Sequence, residues 1–189
     1  MDSQNLLRQY RKKPITTLQE LAQKSTFTKL DYSQEAIKKI IPHREPFLLV
    51  DRLIGLDFAR DKELIVGLRE ISEEDPVFQG HFPDLPVYPG SLQLEMAGQV
   101  GLCLTYFVLN SRNSIADNAK PLNVLATRIL GALFMEPVYP GREVTLISQR
   151  LEYNDFFGTV LSQIISDQKV CCVSISEVMF LNGSTEGSK

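Results

Sequence analysis

The chain has 189 residues, 43% hydrophobic and 23% charged, with a formal charge of −3. That is enough apolar mass for one globular core, and the near-balanced charge excludes a general pull toward nucleic acid or an anionic membrane. Three cysteines with no C-x-x-C spacing, together with two widely separated histidines, exclude a disulfide framework and argue against a metal site. Cys103, Cys171 and Cys172 read as small core fillers. The N-terminus lacks a basic-then-apolar leader, and no run of 18 apolar residues is present. The expected compartment is therefore cytoplasmic, with no membrane span, and the Asn182-Gly183-Ser184 sequon is expected to be idle.

Residues 1–30 read as an N-terminal helical extension. Leu6–Lys13 predicts a short basic helix stopped by Pro14, and its cations Arg8, Arg11, Lys12 and Lys13 read as a solvated face or a docking surface for an acidic partner. Thr17–Gln23 predicts a second helix, capped by Thr16 or Thr17 with Glu20 closing a capping box. The main domain is expected over 31–182. Ser33 caps a helix over Gln34–Ile41 that Pro42 ends, and Pro46–Ile54 and Glu63–Ile71 read as strands.

A stiff loop follows, with Pro83, Pro86 and Pro89 around His81. The helix from Ser91 to Leu109 is apolar on every face, so it must be buried. At about 28 Å it crosses a small domain and needs a larger element to wrap it. The wrapper comes from Asn123–Phe134 and three β-like runs, Glu143–Tyr153, Phe157–Ser166 and Lys169–Leu181. These are joined tightly at Asn154-Asp155 and Asp167-Gln168, as antiparallel hairpins require. Residues 183–189 read as a disordered Gly/Ser tail. The expected class is α+β, a long central helix wrapped by a curved antiparallel sheet.

Two groups carry acid–base chemistry. His81 sits in a backbone fixed by Gly80 and prolines, and an imidazole titrates near neutrality, so it reads as a catalytic base; the alternative is a loop histidine packed on Phe82. Glu95 is a carboxylate in an apolar helix. Burial is expected to raise its pKa and make it a general acid, against the alternative of a residue favoured by the helix dipole. Gln99, one turn on, either orients Glu95 or makes a polar contact at a subunit interface. Gly90 either offers an N–H to a carbonyl oxygen at the helix start or serves only the tight turn. Tyr88 either lines a channel or packs, and His43 reads as structural. Nucleotide-binding glycine loops and a nucleophile elbow are absent from the sequence.

Four motifs together resemble the FabZ-type 3-hydroxyacyl-[acyl-carrier-protein] dehydratases of the hotdog fold. They are Ile41-Pro-His-Arg-Glu-Pro-Phe-Leu-Leu-Val-Asp-Arg52, Phe78-Gln-Gly-His-Phe-Pro83, Tyr88-Pro-Gly-Ser-Leu-Gln-Leu-Glu-Met-Ala-Gly-Gln99 and Phe134-Met-Glu-Pro-Val-Tyr-Pro-Gly141, in register over roughly residues 31 to 181. The resemblance implies dehydration of a 3-hydroxyacyl thioester, carried on acyl carrier protein or coenzyme A, in fatty-acid or related lipid or polyketide biosynthesis. It implies a homodimer, or a trimer of such dimers, whose site takes the histidine from one subunit and the glutamate from the other. His81 and Glu95 match the catalytic pair, and Gly90 matches the glycine whose N–H meets the thioester carbonyl. Gln99, Tyr88 and Phe82 complete the expected substrate-binding set, and no cofactor is implied.

Glu95 points to the dehydratase-only branch, since related dehydratase-isomerases usually carry Asp there. The chain departs from the family at Tyr88 and Ser91, usually Met and Val, and at Met135-Glu136, usually basic. Competing readings are a hotdog acyl thioesterase and a non-catalytic acyl-binding or partner subunit. Both catalytic residue types remain in the chain, which speaks against the latter.

Overall fold

The computed structural model describes residues 2–60 and 62–181. The sequon at Asn182 and the expected tail at 183–189 lie outside the described residues. Among the described residues seven antiparallel strands form one sheet: β1 (Phe27–Ser33), β2 (Arg52–Asp57), β3 (Leu64–Ile71), β4 (Val124–Phe134), β5 (Arg142–Tyr153), β6 (Phe157–Ser166) and β7 (Lys169–Phe180). Their order is β1-β2-β3-β5-β6-β7-β4. The helices are α1 (Ser3–Tyr10), α2 (Leu18–Ala22), α3 (Gln34–Ile37) and the long α4 (Gly90–Leu109). This is the hotdog architecture that the motifs implied.

Turn chemistry sets the register of the C-terminal strands. Asp167 and Gln168 both have positive φ, 48° and 64°, and join Ser166 directly to Lys169, as a two-residue hairpin with the strands' own twist requires. At the β5–β6 turn, Asn154 Oδ1 accepts the N–H groups of Phe156 and Phe157, each at 2.9 Å.

Small residues bring α4 onto this sheet. A Cβ at Gly101 would lie 3.0 Å from Val160 Cγ2, so only glycine allows that approach without displacement. Beneath it Ser148 and Ser162 share a hydrogen bond of 2.9 Å, and Ser162 reaches the Ala97 carbonyl at 3.3 Å. Met96, Val100, Cys103, Leu104 and Phe107 fill one core with Val144, Leu146, Val160 and Ile164. All three cysteines are buried. By length and composition α4 would also reach across a bilayer, but most of it is buried inside the protein.

The helix is not covered on every side, which corrects the sequence expectation. Leu94, Glu95, Gly98 and Leu102 are only half-buried, and a Cβ at Gly98 would meet nothing within 4 Å.

A second core lies on the opposite face of the sheet. There Leu7 and Leu21 from α1 and α2 cover Leu64, Val66, Ile147, Leu161 and Val173. Strand β6 is therefore buried on both faces, which explains its near-continuous apolar reading. Thr17 and Glu20 form the expected capping box, with Thr16 also bonding Glu20.

Three element boundaries differ from expectation. Strand β1 spans the anticipated division at residue 30; a bulge between Lys29 and Tyr32 breaks the alternation that would have revealed it. α3 ends at Ile37 rather than Ile41, and Ser33 makes no side-chain cap bond. The strand expected over 46–54 begins only at Arg52, because the backbone of Phe47 and Leu49 bonds a side chain rather than a neighbouring strand.

Candidate active site

The loop carrying His81 is a closed clamp. Phe82 and Leu85 exchange backbone hydrogen bonds, and Val87 N–H donates to the His81 carbonyl at 3.0 Å. The His81 ring lies 2.8 Å, through Nδ1, from the Val87 carbonyl oxygen. A carbonyl only accepts, so Nδ1 carries the hydrogen and Nε2 is left with a free lone pair. Phe82, 53% exposed, stacks on the imidazole at 4.1 Å. Tyr88 N–H then ties the loop to the Val138 carbonyl at 2.8 Å. The prolines thus act together with hydrogen bonds that the sequence did not reveal.

Pro89 precedes Gly90, the first residue of α4, whose N–H has no intrahelical acceptor. A Cβ at Gly90 would lie 2.9 Å from Phe134 Cε1, so a larger residue there requires the Phe134 ring to move.

Glu95 sits one turn into α4. Its Oε1 accepts a 2.8 Å hydrogen bond from Gln99 Nε2 and lies 3.3 Å from His43 Nε2. The expected rise in its pKa is corrected: the His43 hydrogen bond, with that of Gln99, outweighs burial and holds the carboxyl below its usual range. Gln99 bonds more than Glu95. Its Oε1 takes the Leu49 N–H at 2.7 Å and its Nε2 also reaches the Phe47 carbonyl at 2.8 Å, so it clamps the 47–49 segment to the helix.

His43, read from the sequence as structural, stands beside Glu95 in the fold. It is one of two histidines and the third residue of the Ile41–Arg52 motif. Tyr88 is buried, 1% exposed, and packs on Phe78 rather than lining an open channel; burial pushes its pKa up to about 12. Two cavities, of about 440 and 420 Å³, lie under the α2 segment and beside the proline loop, and neither is lined by α4. An acyl tunnel along the helix is therefore not among them.

Among the described residues, no hydrogen bond or ion pair joins His81 to Glu95 within the chain. Each is separately fixed, one as a free imidazole nitrogen and the other as a hydrogen-bonded carboxyl.

The FabA-like domain matches residues 41–171. The 3-hydroxyacyl-[acyl-carrier-protein] dehydratase FabZ of Campylobacter lari is 44% identical over 107 residues, 56% of this chain and 67% of its own length. The FabZ dehydratase of Solibacter usitatus is 35% identical over 142 residues, 72% and 81% of the two chains. Among solved structures, the dehydratase heterocomplex ApeI:P from Xenorhabdus doucetiae superposes with a TM-score of 0.53 at 16% identity, over 77% of this chain and 91% of its own, a likeness of fold. With the family match spanning both His81 and the Glu95–His43–Gln99 cluster, the chain belongs to the FabA-like domain family.

Proposed function

We propose that the chain is a hydro-lyase that converts a 3-hydroxyacyl thioester into the trans-2-enoyl thioester and water, in fatty-acid biosynthesis. The observation that carries this is the free Nε2 of His81, left as a base by the Val87 carbonyl, in a family whose relatives carry that activity in their names. His81 Nε2 takes the proton alpha to the carbonyl. The Gly90 N–H, at the positive end of α4, stabilises the enolate-like oxygen. Glu95 gives a proton to the departing hydroxyl, and the Cα–Cβ double bond forms as water leaves. Proton transfer and an N–H dipole complete this chemistry without a cofactor.

The substrate is carried on acyl carrier protein, as the relatives' names have it, with coenzyme A as the alternative carrier. We assign the working form as a homodimer in which His81 of one subunit faces Glu95 of the other. Supporting this, strand β4 is a free sheet edge with exposed Leu125, Ile129 and Phe134, and α4 has an open face at Leu94, Gly98 and Leu102. The space beside Gly98 is where an acyl chain would lie once a second subunit covers it. On this reading the catalytic unit begins with β1, the N-terminal helices are an added layer, and the compartment is cytoplasmic.

Hydration of an enoyl thioester, followed by its ultraviolet absorbance, tests the assignment. His81→Ala and Glu95→Gln are each expected to lose about 10² to 10⁴-fold in kcat. Undiminished turnover in either variant overturns it, and thiol release without change in enoyl absorbance would indicate a thioesterase instead.

A further inference from the structure

The second histidine of the chain touches the acid. His43 Nε2 lies 3.3 Å from Glu95 Oε1, and the two side chains are 20% and 32% exposed. Its Nδ1 is buried and has no hydrogen-bond partner among the described residues. A hydrogen there would be a buried donor without an acceptor, so the ring hydrogen belongs on Nε2, where Glu95 accepts it. Gln99 donates to the same Oε1 at 2.8 Å, and its amide cannot turn over, because its own oxygen holds the Leu49 N–H. Two donors on Oε1 leave Oε2 as the oxygen that holds and delivers a proton.

We propose that His43 is a positioning residue for the acid: its Nε2–H fixes the Glu95 carboxyl, turns Oε2 toward the substrate hydroxyl, and stabilises the carboxylate left when the proton has gone. This rests on the dehydratase reading and adds a residue to it. In the step itself, Oε2–H passes its proton to the hydroxyl as the C–O bond breaks with its electron pair on oxygen. The electrons of the Cα–H bond form the new double bond, and His81 keeps the α-proton. One water leaves carrying the proton from Glu95, His81 holds the α-proton, Glu95 is left as the carboxylate, and the hydrogen of His43 stays on Nε2 throughout.

The charged groups around this cluster are otherwise engaged. Arg44 donates to the carbonyls of Lys38, Ile41 and His43. Arg69 pairs with Asp51 at 2.7 Å, and Asp51 also accepts from Gln34 and from the Glu70 N–H. Glu45 is exposed to solvent. His43 and Gln99 are the groups that lower the Glu95 pKa, His43 foremost.

The sign of the test follows. Dehydration uses protonated Glu95, so activity falls as pH rises through its pKa, and losing a donor to the carboxylate moves that limb to higher pH. The pH profile of kcat for dehydration of a 3-hydroxyacyl thioester is measured for wild type, His81→Ala, His43→Ala and His43→Gln. His43→Ala is expected to lose on the order of 100-fold in kcat with KM little changed, and to shift the alkaline limb upward. His43→Gln, whose amide N–H can donate from the same place, recovers most of the rate and returns the limb.

An unshifted limb in His43→Ala, or the same limb in both His43 variants, overturns the role of His43. An inactive wild type, or an active His81→Ala, overturns the dehydratase reading instead.

Discussion

At the scale of single residues, one acceptor decides what each imidazole can do. The Val87 carbonyl claims Nδ1 of His81 and leaves Nε2 as an acceptor; Nε2 of His43 stands 3.3 Å from the Glu95 carboxylate, placed to donate. His81 and Glu95 were legible because loop prolines and an apolar helix isolate them in the sequence. His43 was not, because only folding brings it across to α4. Gly90 carries two demands, the N–H that opens α4 and room for Phe134. Gly90→Ala would put a Cβ 2.9 Å from the ring. The ring is half-exposed and can give, so the expected cost is about 1 kcal/mol, at the low end of overpacking. The larger effect is on kcat/KM, through displacement of the N–H. Phe134→Leu in the same chain should restore part of the activity. Thermal denaturation and steady-state rates of the single and double variants check this, and a double variant no better than Gly90→Ala alone would show that the two sites are not coupled.

At the scale of elements, the N-terminal segment is a structural layer on the sheet. Gln163, fully buried on the outer face of β6, donates to the carbonyls of Tyr10 at 2.7 Å and Lys13 at 3.0 Å and accepts the Ile15 N–H at 2.7 Å. Farther along, Lys24 and Thr26 bond the buried Asp57 at the end of β2, at 2.7 and 2.5 Å. Gln163→Ala strands these backbone groups. It should cost about 1–3 kcal/mol and accelerate proteolytic cleavage within residues 10–26. Limited proteolysis read by mass spectrometry measures this, and an unchanged cleavage rate would mean that Leu7 and Leu21 hold the layer without it. The sequence showed both short helices and the capping box, but a polar Gln163 inside an apolar strand gives no local hint of its partners about 150 residues away. The 46–51 segment was misread for the same reason: its β-like composition reports burial of Leu48, Leu49 and Val50, while its backbone partner is the side chain of Gln99.

At the scale of the whole molecule, three of the exposed large apolar side chains, Leu125, Ile129 and Phe134, lie along one edge strand of the sheet. β4 is a sheet edge with Ile129 60% and Leu125 52% exposed, a condition that folded proteins normally cover or charge. Ile129→Lys together with Leu125→Lys should convert a dimer to monomers in sedimentation velocity and abolish turnover, with the far-ultraviolet circular dichroism retained. A monomeric variant with full activity would disprove the shared site. The sequence by itself determined the long apolar helix, the antiparallel C-terminal hairpins and the family, because periodicity, turn chemistry and motif spacing are local properties. The tertiary structure decided that the N-terminal helices roof the second face of the sheet, that Gln99 ties the 47–49 segment to the helix, and that His43 holds Glu95 as a stronger acid than burial alone would allow. These depend on which distant atoms become neighbours, and hydrogen-bond partners and pKa values are properties of neighbours.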